Sequence, residues 1–229
     1  MSSPGPHYYD MDLTHAPAPS VARLVVIAGP ACSGKSGLIK RLLTDLGKDK
    51  IGFSVSHTTR PPRPEEQEGI HYHFFTDEAF EMAVQNNEFV EHTEFCGHRY
   101  GTSKRAVLSV LETGKLCLLQ LNMQGLKNLK KLDLNPVCIW IDTPNLEELE
   151  ERITERGAES EAELEERLAA AKEEKAYGRT PGLFDFLIVN DNFDVAYDEL
   201  KQLIERLYTQ TAHQQQQQQH DQANSHASP

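Results

Sequence analysis

The sequence has no apolar run long enough to cross a bilayer, which takes roughly 20 residues. Its longest apolar runs, such as Leu24–Ala28 and Val137–Ile141, have the length of single strands. The N-terminus has neither Lys nor Arg before Arg23 and no apolar stretch typical of a secretory signal. We therefore expect a cytoplasmic protein that has no membrane partner.

Cysteine and positive charge are also scarce. The four cysteines, Cys32, Cys96, Cys117 and Cys138, lie far apart and form no C-x-x-C pair, which excludes a disulfide framework and a zinc-binding pattern. The 23 Lys and Arg residues against 35 Asp and Glu residues give a net charge of −12, which disfavours nucleic acid as the partner. A phosphate group would therefore need a local cluster of basic residues.

What the sequence does contain is an alternation of short apolar runs and longer amphipathic stretches. Apolar runs at Leu24–Ala28, Leu116–Leu121 and Val137–Ile141 are each followed by a helix-forming stretch. A further apolar run, Leu187–Val189, precedes the amphipathic stretch Val195–Tyr208. This alternation predicts an α/β fold with a parallel sheet flanked by helices.

Two polar ends and two insertions interrupt this pattern. The ends lack core-forming residues, which predicts a disordered N-terminal arm and a disordered Gln-rich tail. One insertion is rich in aromatic residues and Thr and predicts a small mixed sheet, and the other is strongly charged and predicts a helical lid. The predicted segments are the arm 1–20, the domain 21–209 (core 21–52, 103–145 and 179–209; mixed-sheet insertion 53–102; lid 146–178) and the tail 210–229.

The pattern G-x-x-x-x-G-K-S at residues 29–36 lies between an apolar strand and a helix-forming stretch. Its glycines let backbone N–H groups surround a phosphate, Lys35 would reach the β and γ phosphates of ATP, and Ser36 would bind Mg²⁺. This motif predicts a sheet of the P-loop NTPase type, and a plain glycine-rich turn is the alternative. The predicted ATP-binding residues of the loop are Gly29, Pro30, Ala31, Cys32, Ser33, Gly34, Lys35 and Ser36.

Farther along, the sequence resembles the guanylate kinase family. The segment Ser54–Arg63 (SVSHTTRPPR), followed by Glu66, Gly69 and Tyr72, is similar to the GMP-binding segment of that family. The resemblance covers about residues 23–207 and implies transfer of the γ-phosphoryl group of ATP to GMP. Its remaining motifs are Asn87–Glu91, Gly97–Thr102, Met123–Gly125, Arg152–Gly157, Arg167 and Val189–Asp191.

The residue chemistry of this region suits GMP. Glu91 offers acceptors for the N1–H and 2-amino groups of guanine, whereas adenine would leave this carboxylate unpaired. Two arginines and two tyrosines would hold the phosphate, and two hydroxyl groups would donate to the base. The resemblance implies that Glu66 orients an arginine. The predicted GMP-binding residues are Ser56, Arg60, Arg63, Glu66, Tyr72, Glu91, Tyr100, Thr102 and Asn122; taken singly, each could also be an ordinary loop or core residue.

Arg152 and Arg156 stand four residues apart on a predicted helix, where like charges destabilise unless an anion lies between them. A transferring phosphoryl group is such an anion. Ordinary surface ion pairs are the alternative. By resemblance, Asn190 is an ATP-binding residue on the adenine side, and Arg167 is a third lid arginine. The predicted catalytic residues are Lys35, Arg60, Arg152, Arg156 and Arg167.

The sequence departs from the family at Gln120 and Asn122, where guanylate kinases usually carry two aspartates. By resemblance, the first aspartate helps to organise Mg²⁺ and the second contacts guanine or an arginine of the GMP site. Each amide keeps an acceptor oxygen but lacks the negative charge. This departure leaves an alternative function, a catalytically weak or inactive guanylate-kinase-like protein-binding module. Because the phosphate loop and the arginines are retained, we expect an enzyme that uses ATP, GMP and Mg²⁺. We also expect it to be a monomer.

Overall fold

The computed structural model describes residues 24–47, 49–132, 134–157 and 161–226. The predicted N-terminal arm, residues 1–20, lies outside these ranges. The elements are, in chain order, β1 (Leu24–Ala28), α1 (Lys35–Leu46), β2 (Ile51–Phe53), β3 (His57–Thr58), β4 (His73–Phe74), α2 (Asp77–Gln85), β5 (Phe89–Phe95), β6 (His98–Ser103), α3 (Lys104–Leu111), β7 (Leu116–Leu121), α4 (Met123–Leu129), β8 (Val137–Asp142), α5 (Leu146–Arg156), α6 (Glu161–Gly178), β9 (Phe186–Val189) and α7 (Phe193–His226).

A five-stranded sheet in the order β2-β7-β1-β8-β9 forms the centre of the fold, and its pairings are all parallel. The strands are nearly continuous apolar runs because helices cover both faces of the sheet. One face packs against α1 and α7, and the other packs against α3 and α4. The predicted α/β class is therefore confirmed.

The phosphate loop leaves the carboxyl end of β1, which lies in the middle of this sheet. A Cβ atom at Gly29 would lie 2.1 Å from the backbone oxygen of Ile141 on the neighbouring strand. Gly29 also has a φ of +147°, so any other residue there would be both strained and crowded. The first glycine of the motif thus lets the chain turn closely past β8.

A second, mixed sheet in the order β4-β3-β6-β5 stands apart from the central one. Strands β3 and β4 pair in parallel, whereas β3–β6 and β5–β6 pair antiparallel. Phe80, Ala83 and Phe89 bury a small core between this sheet and α2. The predicted mixed sheet is confirmed, but Phe53 belongs to β2 of the central sheet because it pairs with Leu118.

The predicted lid segment forms two helices, α5 and α6, which we call the lid helices. They pack against each other through Leu149, Ile153 and Ala171. The end of α6 also packs on the central sheet, where Gly178 lies against the indole of Trp140. The second lid helix is therefore fixed to the core at its C-terminal end.

The last helix differs from the sequence prediction. A disordered tail was expected from residue 210, yet α7 continues without interruption to His226. Glutamine has a favourable helix propensity, and extending an existing helix needs no new nucleation. Although α7 is 34 residues long, none of the helices in the described ranges combines the length and apolarity needed to span a membrane.

The close contact at the end of α6 makes a stability prediction. A Cβ atom at Gly178 would lie 2.1 Å from Nε1 of Trp140, which is fully buried. We expect Gly178→Ala to lower the free energy of unfolding by about 1–3 kcal/mol through overpacking. Urea denaturation followed by Trp140 fluorescence measures this change. Lys172→Ala, on the exposed side of α6, is the control and should shift stability by less than about 0.5 kcal/mol; equal effects of the two changes would contradict the packing account.

Candidate active site

A cleft of about 1530 Å³, which we call the central cleft, runs between the phosphate loop, the mixed sheet and the lid helices. It is larger than the roughly 300–1,000 Å³ of a typical pocket for one small ligand. The predicted site residues line it except Pro30, Ser33 and Thr102, which are buried behind its surface. The fold therefore brings the predicted ATP and GMP residues to one continuous space.

Lys35 begins α1 and is only 8% exposed. Its ammonium group donates to the backbone oxygens of Gly29 and Pro30, at 2.7 and 2.5 Å. Burial lowers the pKa of Lys35 to about 8, although the carboxylate of Glu174 acts in the opposite direction. The lysine is therefore held by the loop itself, and a phosphate could replace the backbone oxygens as its partner.

Asn190 directly follows β9 and holds the phosphate loop through a hydrogen bond to its backbone. Its side-chain amide donates to the backbone oxygen of Ser33 at 2.9 Å. A Cβ atom at Gly34 would lie 2.1 Å from the same amide nitrogen, so the second glycine of the motif is required by this contact. Asn190 also lines the central cleft, and its contact with adenine remains a prediction.

Ser36 and Gln120 meet at the edge of the loop. The exposed hydroxyl of Ser36 lies 3.4 Å from Oε1 and 3.2 Å from Nε2 of Gln120. Hydroxyl and amide oxygens are hard ligands of the kind that Mg²⁺ accepts, so these residues fit a magnesium ion that arrives with ATP. Within the described ranges, no group of three or more His, Cys, Asp or Glu side chains could hold a metal ion.

Arg60 is the most strongly fixed cation of the mixed-sheet side. Its Nη2 donates to both carboxylate oxygens of Glu66 at 2.8 Å, and Arg60 is 3% exposed. Burial alone would raise the pKa of Glu66, but hydrogen bonds from the Arg63 backbone and from Arg60 hold it below its ordinary value. The guanidinium also lies 5.6 Å from the ring centre of Tyr72. Glu66 is thus placed to orient Arg60, as the resemblance implies.

Positive charges from different segments converge on this part of the cleft. Burial lowers the pKa of Arg63, and the nearby charges of Arg156, Arg60 and Arg167 lower it further. Cations that destabilise one another's charge form a site for an anion. A phosphate group is the anion that the sequence predicts at this position.

Glu91, which the sequence predicts to bind the guanine base, lies on β5 of the mixed sheet and lines the central cleft. Its Oε1 accepts the hydroxyl of Thr102 at 2.7 Å, so Thr102 donates to Glu91 rather than standing free for a base. In the described part of the chain, Oε2 of Glu91 has no hydrogen-bond partner although it is buried. Burial raises the pKa of Glu91 to about 7. A buried acceptor without a donor is costly, and guanine carries two suitable donors.

Asn122 lies close to Glu91, and its side chain caps a helix. Its side-chain oxygen accepts the backbone N–H of Gly125 at 2.8 Å and so caps the N-terminus of α4. Gly125 in turn faces Glu91, because a Cβ atom there would lie 2.7 Å from Oε2. The cap therefore fixes the wall behind the carboxylate, and a contact between Asn122 and guanine remains a prediction.

Lid arginines form ion pairs within their own helices and also line the cleft, and their role at a transferring phosphoryl group remains a prediction. Arg152 and Arg167 pair with acidic residues one turn away on their own helices, as ordinary surface pairs would. Yet both residues line the central cleft together with Arg156, whose Nη1 lies 3.6 Å from Sγ of Cys32. Arg152 also donates to the backbone oxygen of Asn190 at 3.1 Å. The pairs hold the arginines beside the phosphate loop.

One charged residue of the cleft was missed by the sequence analysis. Glu174 of α6 is 3% exposed, and its Oε2 accepts the backbone N–H of Ala31 at 3.3 Å. In the sequence it is one of many glutamates in a charged helix. A usable signal was its spacing of seven residues from Arg167, because residues two turns apart share one helix face.

Comparisons with known proteins point to one family. Residues 21–207 match the family model described as guanylate kinase. Guanylate kinases from Sus scrofa and Homo sapiens are each 46% identical over 182 residues, which is 80% of this chain and 91% or 92% of theirs. A crystal structure of guanylate kinase from Anaplasma phagocytophilum has a TM-score of 0.64 at 27% identity, covering 82% of this chain and 86% of that chain.

The burial of Glu91 predicts a pH-dependent stability change. Its pKa of about 7 lies above the ordinary 4.5, so the folded protein binds the extra proton and loses stability as the pH rises between these values. Relative to wild type, Glu91→Gln should therefore gain about 2 kcal/mol of unfolding free energy between about pH 5 and pH 8.

Urea denaturation without nucleotide, across this pH range, measures the difference. Glu94→Gln, at an exposed position of the same strand, is the matched control and should show a nearly constant difference from wild type. A pH-independent difference for Glu91→Gln would contradict the raised pKa.

Proposed function

This chain belongs to the guanylate kinase family, and we propose that it transfers the γ-phosphoryl group of ATP to GMP, giving ADP and GDP. The observation that carries this proposal is the unpartnered Oε2 of buried Glu91 in the same cleft as the phosphate loop. It supplies an acceptor for guanine at one end, while Lys35 and the loop supply donors for ATP at the other. Arg60, Arg63, Arg156 and Arg167 line the same cleft and are close enough for their charges to act on one another.

On the ATP side, the backbone N–H groups of the loop and the start of α1 would surround the phosphates. Lys35 would exchange its bonds to the backbone oxygens of Gly29 and Pro30 for bonds to phosphate oxygens. Ser36 and Gln120 would hold Mg²⁺ at the edge of the loop. When bound with ATP, Mg²⁺ would neutralise charge on the β and γ phosphates.

On the GMP side, Arg60 and Arg63 would bind the phosphate with the phenol groups of Tyr72 and Tyr100. Arg60 is already oriented by Glu66, so little side-chain freedom would be lost on binding. Glu91 would accept from the N1–H and 2-amino groups of guanine. The hydroxyl of Ser56, which lines the cleft, would donate to the base.

The transfer itself needs no protein nucleophile and no dedicated base, because an oxygen of the GMP phosphate is already ionised at neutral pH. The work of the protein is to position the two phosphates in line and to stabilise the charge that spreads over the transferring group. The lid helices would add their arginines to this charge cluster and exclude water. The proposed catalytic residues are Lys35, Arg60, Arg152, Arg156 and Arg167.

The amides at Gln120 and Asn122 change individual contacts but leave this set of charges intact. Asn122 still caps α4, and Gln120 still meets Ser36. We propose that turnover tolerates both. We also propose a monomer in the cytoplasm: the four cysteines are free thiols, and one chain supplies all the side chains assigned here.

A coupled assay of ADP release tests the proposed function directly. Purified protein with ATP and Mg²⁺ should turn over GMP in clear preference to AMP, CMP and UMP, because only guanine pairs its donors with Glu91. Folded protein that releases no ADP with GMP would contradict the proposal and favour the protein-binding module. Equal turnover of all four nucleotides would contradict the role of Glu91.

Replacing the lysine of the phosphate loop gives a second test. Lys35→Ala should lower kcat by about 10²–10³-fold, since a fixed positive charge at the transferring group is lost. Lys131→Ala, at an exposed position outside the cleft, is the control and should retain wild-type turnover. Thermal unfolding followed by Trp140 fluorescence checks that both variants are folded. A folded Lys35→Ala variant with wild-type kcat would contradict the assignment of the loop.

A further inference from the structure

Two consecutive charged residues, Glu174 and Lys175, are buried in the second lid helix at 3% and 4% exposure. Charged side chains are almost never buried to this degree unless they are paired. The proposed transfer uses neither of them. Glu174 contacts the phosphate loop itself, whereas Lys175 contacts the end of β8 and the residue that follows it.

Lys175 fixes the helix to the central sheet. Its ammonium group donates to Oδ1 of Asp142 at 2.8 Å, to the backbone oxygen of Thr143 at 2.5 Å and to the Thr143 hydroxyl at 3.2 Å. All three ammonium hydrogens therefore have an acceptor. Asp142 is the last residue of β8, the strand that the phosphate loop passes. Separating a buried ion pair is costly, so the pair of Lys175 with Asp142 holds this end of α6 in place.

Glu174 reaches the phosphate loop from that fixed place. Its Oε2 accepts the backbone N–H of Ala31 at 3.3 Å. Burial raises the pKa of Glu174, while the charge of Lys35 and the backbone amides of Ala31 and Met123 act against that rise. The carboxylate thus contacts the loop backbone and faces the lysine of the same loop.

The face of α6 that carries Glu174 also carries a lid arginine. Arg167 precedes Glu174 by seven residues, or about two turns, and Ala171 lies between them on the same buried face. One rigid helix therefore links the phosphate loop to the charge cluster of the cleft. A shift of α6 along its axis would move both Glu174 at the phosphate loop and Arg167 in the charge cluster.

We propose that Glu174 is a positioning residue of the ATP site, which sets the phosphate loop through Ala31 and Lys35 and is itself held in place by the Lys175–Asp142 ion pair. This inference rests on the proposed function. The inference predicts an effect on ATP and not on GMP. Glu174 contacts the phosphate loop, which belongs to the ATP side, and makes no contact with Glu91 or Arg60 among the described interactions.

The kinetic test compares two neighbouring glutamates. Glu174→Gln keeps the size of the side chain but removes the charge, and it should raise the KM for ATP by about tenfold, the expected effect of weakening one charge-assisted contact. The KM for GMP should stay within about twofold of wild type. Glu173→Gln, one residue earlier and exposed, should leave both values unchanged.

A direct binding measurement removes the dependence on turnover. Calorimetric titration with a non-hydrolysable ATP analogue and Mg²⁺ should give a Kd about tenfold higher for Glu174→Gln than for wild type and Glu173→Gln. Trp140, the one tryptophan of the sequence, packs against the end of α6, so an unchanged emission spectrum checks that the helix remains in place. If that spectrum changes, Glu174→Asp keeps the charge, and it should bind the analogue more tightly than Glu174→Gln.

The outcomes separate the inference from the function it rests on. An active wild type whose Glu174→Gln variant has an unchanged or lower KM and Kd for the ATP ligand would overturn the inference alone. An equal rise in the KM values for ATP and GMP would also overturn it, because the effect would then not belong to the loop. A folded wild type that neither turns over GMP nor binds the ATP analogue would overturn the inference and the proposed function together.

Discussion

Five charged side chains line the central cleft with at most 8% of their surface exposed, and the protein has to compensate each of them for lost hydration. They are Lys35, Arg60, Glu91, Arg167 and Glu174. Backbone oxygens compensate Lys35, a carboxylate compensates Arg60, and a backbone N–H compensates Glu174. Glu91 is the exception, since only one of its two oxygens has a partner. Pairing that oxygen would recover free energy, which is why we propose that Glu91 favours a ligand with two adjacent donors.

The architecture follows from the need to deliver these partners from distant parts of the chain. The central sheet places the phosphate loop at the carboxyl end of its middle strand, the usual place for ligands in open α/β sheets. The mixed sheet carries Glu91 and the hydroxyl that supports it on paired strands. The lid helices are joined to the core at the end of α6, and charged residues of both helices line the central cleft. Within the described ranges, the ion pair of Lys175 with Asp142 joins the second lid helix to the central sheet.

Sequence reasoning succeeded where a signal is local. The apolar runs predicted β1 and β7 because a strand covered on both faces is apolar throughout, and the glycines of the phosphate loop predicted its turn. It failed where partners are far apart in the chain. Glu174 meets Ala31 across 143 positions, and Lys175 meets Asp142 across 33. The seven-residue spacing from Arg167 indicates which helix face Glu174 shares, but it does not reveal either contact. The Gln-rich end of α7 was misjudged because low complexity is also compatible with extension of an existing helix.

The proposed selectivity for GMP depends most directly on Glu91 accepting donors from guanine. Because burial raises the pKa of this carboxyl to about 7, a fraction of it is protonated near neutral pH, and binding of two donors should drive it to the ionised form. Calorimetric titration of GMP near pH 7, in two buffers of different ionisation enthalpy, counts the protons released. Wild type should release more protons than Glu91→Gln, and the comparison subtracts the contribution of the GMP phosphate. Equal proton release by the two proteins would contradict the assignment of Glu91 as the guanine acceptor.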